Sequence, residues 1–348
     1  MKPLVSVIIP THNRAALVQR AIESALTQSH DHIEVIVVDD GSTDRTAEQI
    51  HARFGPDGRF VLLRTANRGV AAARNAGLER ATGSHVAFLD SDDEWFPWKI
   101  EFQMRCLDLV REAGMVWTDM AAVDANGNTV APRYLRTFYR QYADVDLANV
   151  TDGSRHLERA DADGGRLWHG DLYGAMLGGN LVHTSTVLMT ADRLSHVRGF
   201  DEKLKGAGED FDFHLRTCAV GIVAFADIPT IKYQVGAPDQ LTRPDRMVQI
   251  ARNYLTTIDK AIAADRGRTP EVALRRARAR AQAWLGEELL EAGERSEATT
   301  HLRAAIRGAR SLRTGALFLI AKLPVPVGVT VRRTLASLTR PFRRRSAG

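Results

Sequence analysis

VSVIIPTHNR, residues 5–14, is a run of mostly β-branched side chains that turns polar within one step. A strand buried on both faces needs such a run, because neither side of its pleat meets water. Residues 5–10 therefore read as a strand, and Asn13 is placed to cap a helix whose apolar positions Leu17, Ala21, Ile22 and Ala25 share one face. The same β-α order repeats with a strand over 34–39 and a helix over 43–54, then a strand over 60–64 and an alanine-rich helix from Val70. A fourth strand covers 85–89. Strands alternating with helices of this length predict an α/β fold with a mostly parallel sheet flanked by helices, in which ligands bind outside the carboxyl ends of the strands.

Three of those ends are polar: Pro10-Thr11-His12-Asn13, Asp39-Asp40-Gly41-Ser42 and Asp90-Ser91-Asp92-Asp93. From 124 to 180 the pattern weakens, and a long excursion or lid is expected there. Regular structure resumes with a strand over 186–189, a helix over 209–220 and two short strands near 222–225 and 231–235. Beyond Pro244, three amphipathic helices over 247–265, 270–292 and 296–309 are broken at Gly267 and Gly293 and form a C-terminal helical appendage. The expected division is 1–243 as the sheet domain, split into a first half (1–123) and a second half with the long excursion (124–243), then 244–311 as appendage and 312–348 as a basic, partly apolar tail.

The 348 residues, 44% hydrophobic and 26% charged, have the composition of an ordinary globular protein, which excludes a fibrous or wholly disordered chain. The net charge of +5 comes from Arg332, Arg333, Arg340, Arg343, Arg344 and Arg345, which suit attraction to anionic lipid headgroups with Leu335, Leu338 and Phe342 as shallow anchors. A solvated tail is the alternative. Nucleic acid is not expected as a partner, since no stacking platform accompanies the basic residues. Cys106 and Cys218 stand outside any metal-ligand spacing and fit a reducing compartment. Neither a signal peptide nor a transmembrane helix is predicted, so the expected location is cytoplasmic, peripheral at most to the inner face of the membrane.

Asp90, Asp92 and Asp93 directly after a buried strand raise one another's pKa unless a cation compensates them. All-oxygen ligation suits a hard ion, Mg2+ or Mn2+. The alternative is an acidic turn capping a helix near Pro97. Asp40 at the tip of the second strand is placed to accept hydrogen bonds from a base or ribose. Neither G-x-G-x-x-G nor G-x-x-x-x-G-K-[ST] follows an early strand, so a bound diphosphate would need the metal, with Arg74 as helper.

VSVIIPTHNR (5–14), VIVVDDGSTD (35–44), NRGVAAARNAG (67–77), VAFLDSDDEW (86–95) and GEDFDFHLR (208–216) occur in this order, and the set resembles the family 2 glycosyltransferases of GT-A fold. The resemblance implies an inverting enzyme that uses a nucleoside-diphosphate sugar donor and a glycan or lipid-linked acceptor, and the lack of the Q-x-x-R-W signature of processive synthases and of membrane spans predicts a non-processive one. It also implies that Pro10, Thr11, His12 and Asn13 line the nucleotide pocket, that Asp40 bonds the base and that Arg74 lies near the diphosphate. Asp90 opens the D-x-D pattern, Asp92 reaches ribose or metal, and Asp93 is a direct metal ligand. Glu209 and Asp210 match the acceptor-side acid pair, with Asp210 as catalytic base. The chain departs from many relatives where a histidine would follow the last strand and complete the metal shell; it reads Tyr233-Gln234-Val235-Gly236-Ala237-Pro238. The third ligand stays open. His183, Trp117 and Trp168 are candidates to line the acceptor side, with packing as the alternative, and are assigned to packing. Two rivals are a sugar nucleotidyltransferase, which should carry a triphosphate loop, and a non-catalytic sugar-nucleotide-binding or scaffold protein, which needs no base.

Overall fold

The computed structural model describes residues 2–157, 164–236 and 246–323. It divides into two compact units, the first holding residues 1–205 and 209–237 and the second 206–208 and 238–348.

In the first unit, strands β1 (Val5–Thr11), β2 (Ile33–Asp40), β3 (Phe60–Thr65) and β4 (His85–Phe88) lie parallel in the order β3-β2-β1-β4. Between them run helices α1 (Ala15–Leu26), α2 (Thr46–Phe54) and α3 (Val70–Arg80). All of β1 is buried, as its unbroken apolar run requires. Gly77 lets α3 approach the sheet, since a Cβ there would lie 2.5 Å from Ile8 Cγ2.

Strand β5 (Asp93–Trp95) and helix α4 (Lys99–Leu109) precede β6 (Met115–Val123) and β7 (Thr129–Ala131). The stretch 124–180, expected as a structureless excursion, contains the short helices α5 (Leu135–Phe138), α6 (Gln141–Asp144) and α7 (Leu147–Val150). It also contains the hairpin of β8 (Gly153–Leu157) and β9 (Gly165–Gly170) and helix α8 (Tyr173–Gly178). Elements of three to six residues are too short to impose a readable period, which is why the pattern faded. The unit closes with β10 (Leu188–Thr190), α9 (Ala191–Ser195), α10 (Glu209–Val220) and β11 (Val223–Gln234).

The sheet is mixed. Its first four strands are parallel, β10 runs antiparallel between β4 and β6, and β6 and β11 are parallel again. Four sequence expectations change. Residues 184–186 form a 3-10 turn and the strand starts at Leu188. The two short strands are one, β11, whose register shifts on either side of Pro229, a residue with no N–H to give the ladder. Asn13, at φ 52°, does not cap α1; its Oδ1 accepts from Thr43 N at 2.8 Å and pins the loop after β2. Residues 93–95 pair with β11 instead of capping a helix, and α4 starts at Lys99.

The second unit holds α11 (Met247–Ala264), α12 (Glu271–Glu291), α13 (Arg295–Gly308) and α14 (Leu312–Lys322). Leu285, Leu289, Ala298 and Leu302 are buried among them, as helix packing requires. None of the described helices is long and apolar enough to cross a membrane. The six tail arginines, Leu335, Leu338 and Phe342, and with them the expected membrane contact, lie outside the described residues, as do Ala237, Pro238 and Pro244.

Candidate active site

The polar strand ends meet at the carboxyl edge of β1, β2 and β4. Thr11 is buried at the end of β1, while His12 and Asn13 stand beyond it beside the loop after β2. His12 Nδ1 lies 3.0 Å from the Asp40 carbonyl, and Asn67 Nδ2 is 3.2 Å from His12 Nε2. Asp40 is committed to backbone: its Oδ1 accepts from Arg68 N at 2.9 Å and its Oδ2 from Gly69 N at 2.8 Å. This carboxylate therefore holds the entry to α3, the helix that carries Arg74. Asp39 is fully buried, accepting from Ser42 N at 2.9 Å, with Arg64 Nε 3.2 Å from its other oxygen.

Arg74 is 3% exposed and joins two acids from distant parts of the chain. Its Nη2 donates to Asp90 Oδ1 at 2.6 Å and its Nη1 to Glu209 Oε1 at 2.7 Å, with its guanidinium carbon 5.1 Å from the centre of the Phe200 ring. Burial alone would drive off the proton, but the charges of Asp90 and Glu209 raise the Arg74 pKa. Burial also opposes ionisation of Asp90, but Arg74, His183 and Arg14 together outweigh it, so that acid is held below its ordinary range. Glu209 is pushed up to about 6 by burial, with Arg74 pulling the other way. Asp210, beside it in the first turn of α10, is also raised by burial.

Asp93 sits in β5 opposite Tyr233 of β11 and is 2% exposed. His183 Nε2 is 2.9 Å from Asp93 Oδ2. Asp90, Asp93 and His183 each offer one ligand atom, all within 4.8 Å of one another. Asp92 turns elsewhere, its Oδ2 lying 3.2 Å from Arg14 Nη1, which also donates to Ser91 Oγ at 3.2 Å. Burial and the charge of Asp93 push Asp92 up to about 6.

His183 is held by the turn that follows it. Thr186 Oγ1 donates to the His183 carbonyl at 2.6 Å, and Gln103 of α4 donates to the Thr186 carbonyl at 2.7 Å. The buried Lys99 amino group in turn donates to Gln103 Oε1 at 2.6 Å. Of the three residues assigned to packing, Trp117 is fully buried, donating to Tyr142 Oη at 3.0 Å, and Trp168 pairs with Phe225 across β9 and β11. Only His183 joins the acidic cluster. Arg14 and Asn67 are further site neighbours that the motif reading did not single out.

Residues 6–157 match the model of Glycosyl transferase family 2. An uncharacterized glycosyltransferase of Haemophilus influenzae is 41% identical over 129 residues, covering 37% of this chain and 51% of that protein. The putative teichuronic acid biosynthesis glycosyltransferase TuaG of Bacillus subtilis is 48% identical over 104 residues, covering 30% of this chain and 41% of that protein. The chain thus spans about half the length, or less, of these curated relatives. Among solved structures, the mannosyltransferase PcManGT from Pyrobaculum calidifontis, in complex with GDP-Man and Mn2+, has a similar fold. The TM-score is 0.59 at 22% identity, covering 99% of this chain and 83% of that one. The residues that match the family model run from β1 to β8 and include the strand ends that carry Asp40, Asp90 and Asp93.

Proposed function

We propose that the chain transfers a single sugar, with inversion, from a nucleoside-diphosphate sugar to an acceptor hydroxyl in the assembly of a cell-surface glycan or glycolipid. One observation carries the reading: Arg74 joins Asp90, at the end of the donor-side strand, to Glu209, the neighbour of Asp210. Acids that the family motifs assign to opposite substrates thereby share one buried cation. The family match supports sugar transfer, TuaG supports a cell-surface glycan, and PcManGT with GDP-Man and Mn2+ supports the donor type and a divalent ion.

In this reading Pro10, Thr11, His12, Asn13 and Asp40 border the nucleotide, and Asp92 faces its ribose. Asp90 and Asp93 fit a divalent cation, because their oxygens converge with a third donor at one point. Mg2+ or Mn2+ there supplies charge neutralisation for a departing nucleoside diphosphate. Asp210 takes the proton of the acceptor hydroxyl while that oxygen forms its bond to the anomeric carbon and the bond to the diphosphate oxygen breaks. A base whose pKa is raised by burial takes up that proton more readily than an ordinary surface carboxylate. The site of action is proposed as cytoplasmic.

Turnover assays test the reading. Purified protein with Mn2+ and a panel of nucleotide sugars should release nucleoside diphosphate, slowly to water and faster with glycan or polyprenyl-linked acceptors. Pyrophosphate release from a nucleoside triphosphate would favour the nucleotidyltransferase instead. Donor binding with neither hydrolysis nor transfer across the panel would favour a binding protein.

A further inference from the structure

We propose that the divalent cation of this site is held by Asp90, Asp93 and His183, and that the imidazole makes it a site for Mn2+ or another transition ion in preference to Mg2+. This rests on the proposed metal-assisted sugar transfer and names the ion's protein donors. The aspartate run alone pointed to Asp92 and Asp93, and the strand after which a histidine would complete the shell in many relatives offers Tyr233.

The geometry resolves both points. His183 Nε2 and Asp93 Oδ2 are 2.9 Å apart. Two neighbouring donors on an octahedral ion with bonds of about 2.1 Å are separated by roughly 3 Å, so the pair is already spaced as joint ligands would be. Asp90 completes the group within 4.8 Å, its second oxygen remaining after Oδ1 accepts from Arg74. Asp92 is drawn toward Arg14. Tyr233 serves not as a substitute ligand but as a wall: its ring stands edge-on to His183 at 5.3 Å, and Phe138 of α5 lies 6.3 Å from the imidazole. The histidine therefore comes from the segment before β10, and an aromatic pair fixes its ring where the other route is closed.

The consequence is selectivity. A carboxylate-only shell accepts Mg2+ readily, whereas imidazole is a ligand for transition ions, and Mg2+ keeps to oxygen.

The test uses the full chain loaded with Mn2+ alone and read by electron spin echo, in which a directly bound nitrogen modulates the signal. Wild type should show 14N modulation, and His183→Gln should lose it. Calorimetry should show the Mn2+ Kd of His183→Gln rising by about tenfold or more, with a smaller change for Mg2+. Absence of 14N modulation in wild type would overturn the assignment without reference to any variant's folding, as would an unchanged Mn2+ Kd in a His183→Gln protein whose thermal unfolding matches wild type. If transfer stays Mn2+-dependent while the echo lacks nitrogen, the ligand assignment fails and the transferase reading stands. If nitrogen is bound and no nucleotide sugar is, the ligand set holds and the transferase reading fails.

Discussion

Asp210→Asn should lower sugar transfer by about 10² to 10⁴ while leaving the donor Kd within about twofold, because general-base assistance of the attacking hydroxyl is what the substitution removes. The amide keeps the size of the side chain, so the first turn of α10 and the Arg74–Glu209 pair should persist. A pH profile separates lost chemistry from lost structure. Asp210 acts deprotonated and burial raises its pKa, so the wild-type rate should fall on the acid side at a pH above the ordinary carboxylate range. The residual rate of Asp210→Asn should lack that limb. Transfer at the parental rate, or an unchanged acid limb, would remove Asp210 from the role.

Arg74→Met should be the most destabilising change in the site. The guanidinium is buried between Asp90 and Glu209, and its loss leaves both acids, with Asp210 beside them, without their positive partner. Breaking a buried pair by deleting one partner costs about 3–5 kcal/mol, and the partial exposure of Asp90 argues for the lower end. The pH dependence has a definite sign. Glu209 and Asp210, already raised by burial, would be raised further without Arg74, so the folded state would bind more protons than the unfolded one. That added contribution is complete below the unfolded carboxylate pKa and is lost as pH rises through the folded values. Thermal unfolding at pH 5 and pH 8 should therefore show the larger loss relative to wild type at pH 8. An equal Tm for variant and wild type at both pH values would contradict the bridging role.

The parallel half of the sheet was legible because burial on both faces leaves an apolar run no other element explains: β1 to β4 match the expected strands to within two residues at either end. The 247–309 helices were legible from amphipathic period and the breaks at Gly267 and Gly293. Pro229 misled, since a proline inside an apolar run reads as an end, whereas β11 absorbs it in a register shift. The short elements between 124 and 180 gave no period long enough to read.

The acids at the strand ends were found because a buried strand followed by clustered carboxylates is locally conspicuous. Their partners were not. Which acid faces which partner depends on pairs 78, 90 and 135 residues apart, Arg14 with Asp92, Asp93 with His183, and Arg74 with Glu209. His183 lies in HTST, residues 183–186, which reads as a polar turn. The missing histidine after β11 was the one available signal that another had to be sought.

In the proposed function these residues form a nucleotide-sugar site completed by a divalent ion. Thermal unfolding with UDP- and GDP-sugars, with Mn2+ and after chelation, tests it most directly, since a ligand at one hundred times its Kd stabilises the fold by about 2.7 kcal/mol. Tm should rise for one nucleotide class, the rise should need nucleotide sugar and ion together, and it should disappear in Asp93→Asn. No rise with any nucleotide sugar in the presence of Mn2+, or an equal rise after chelation, would contradict it.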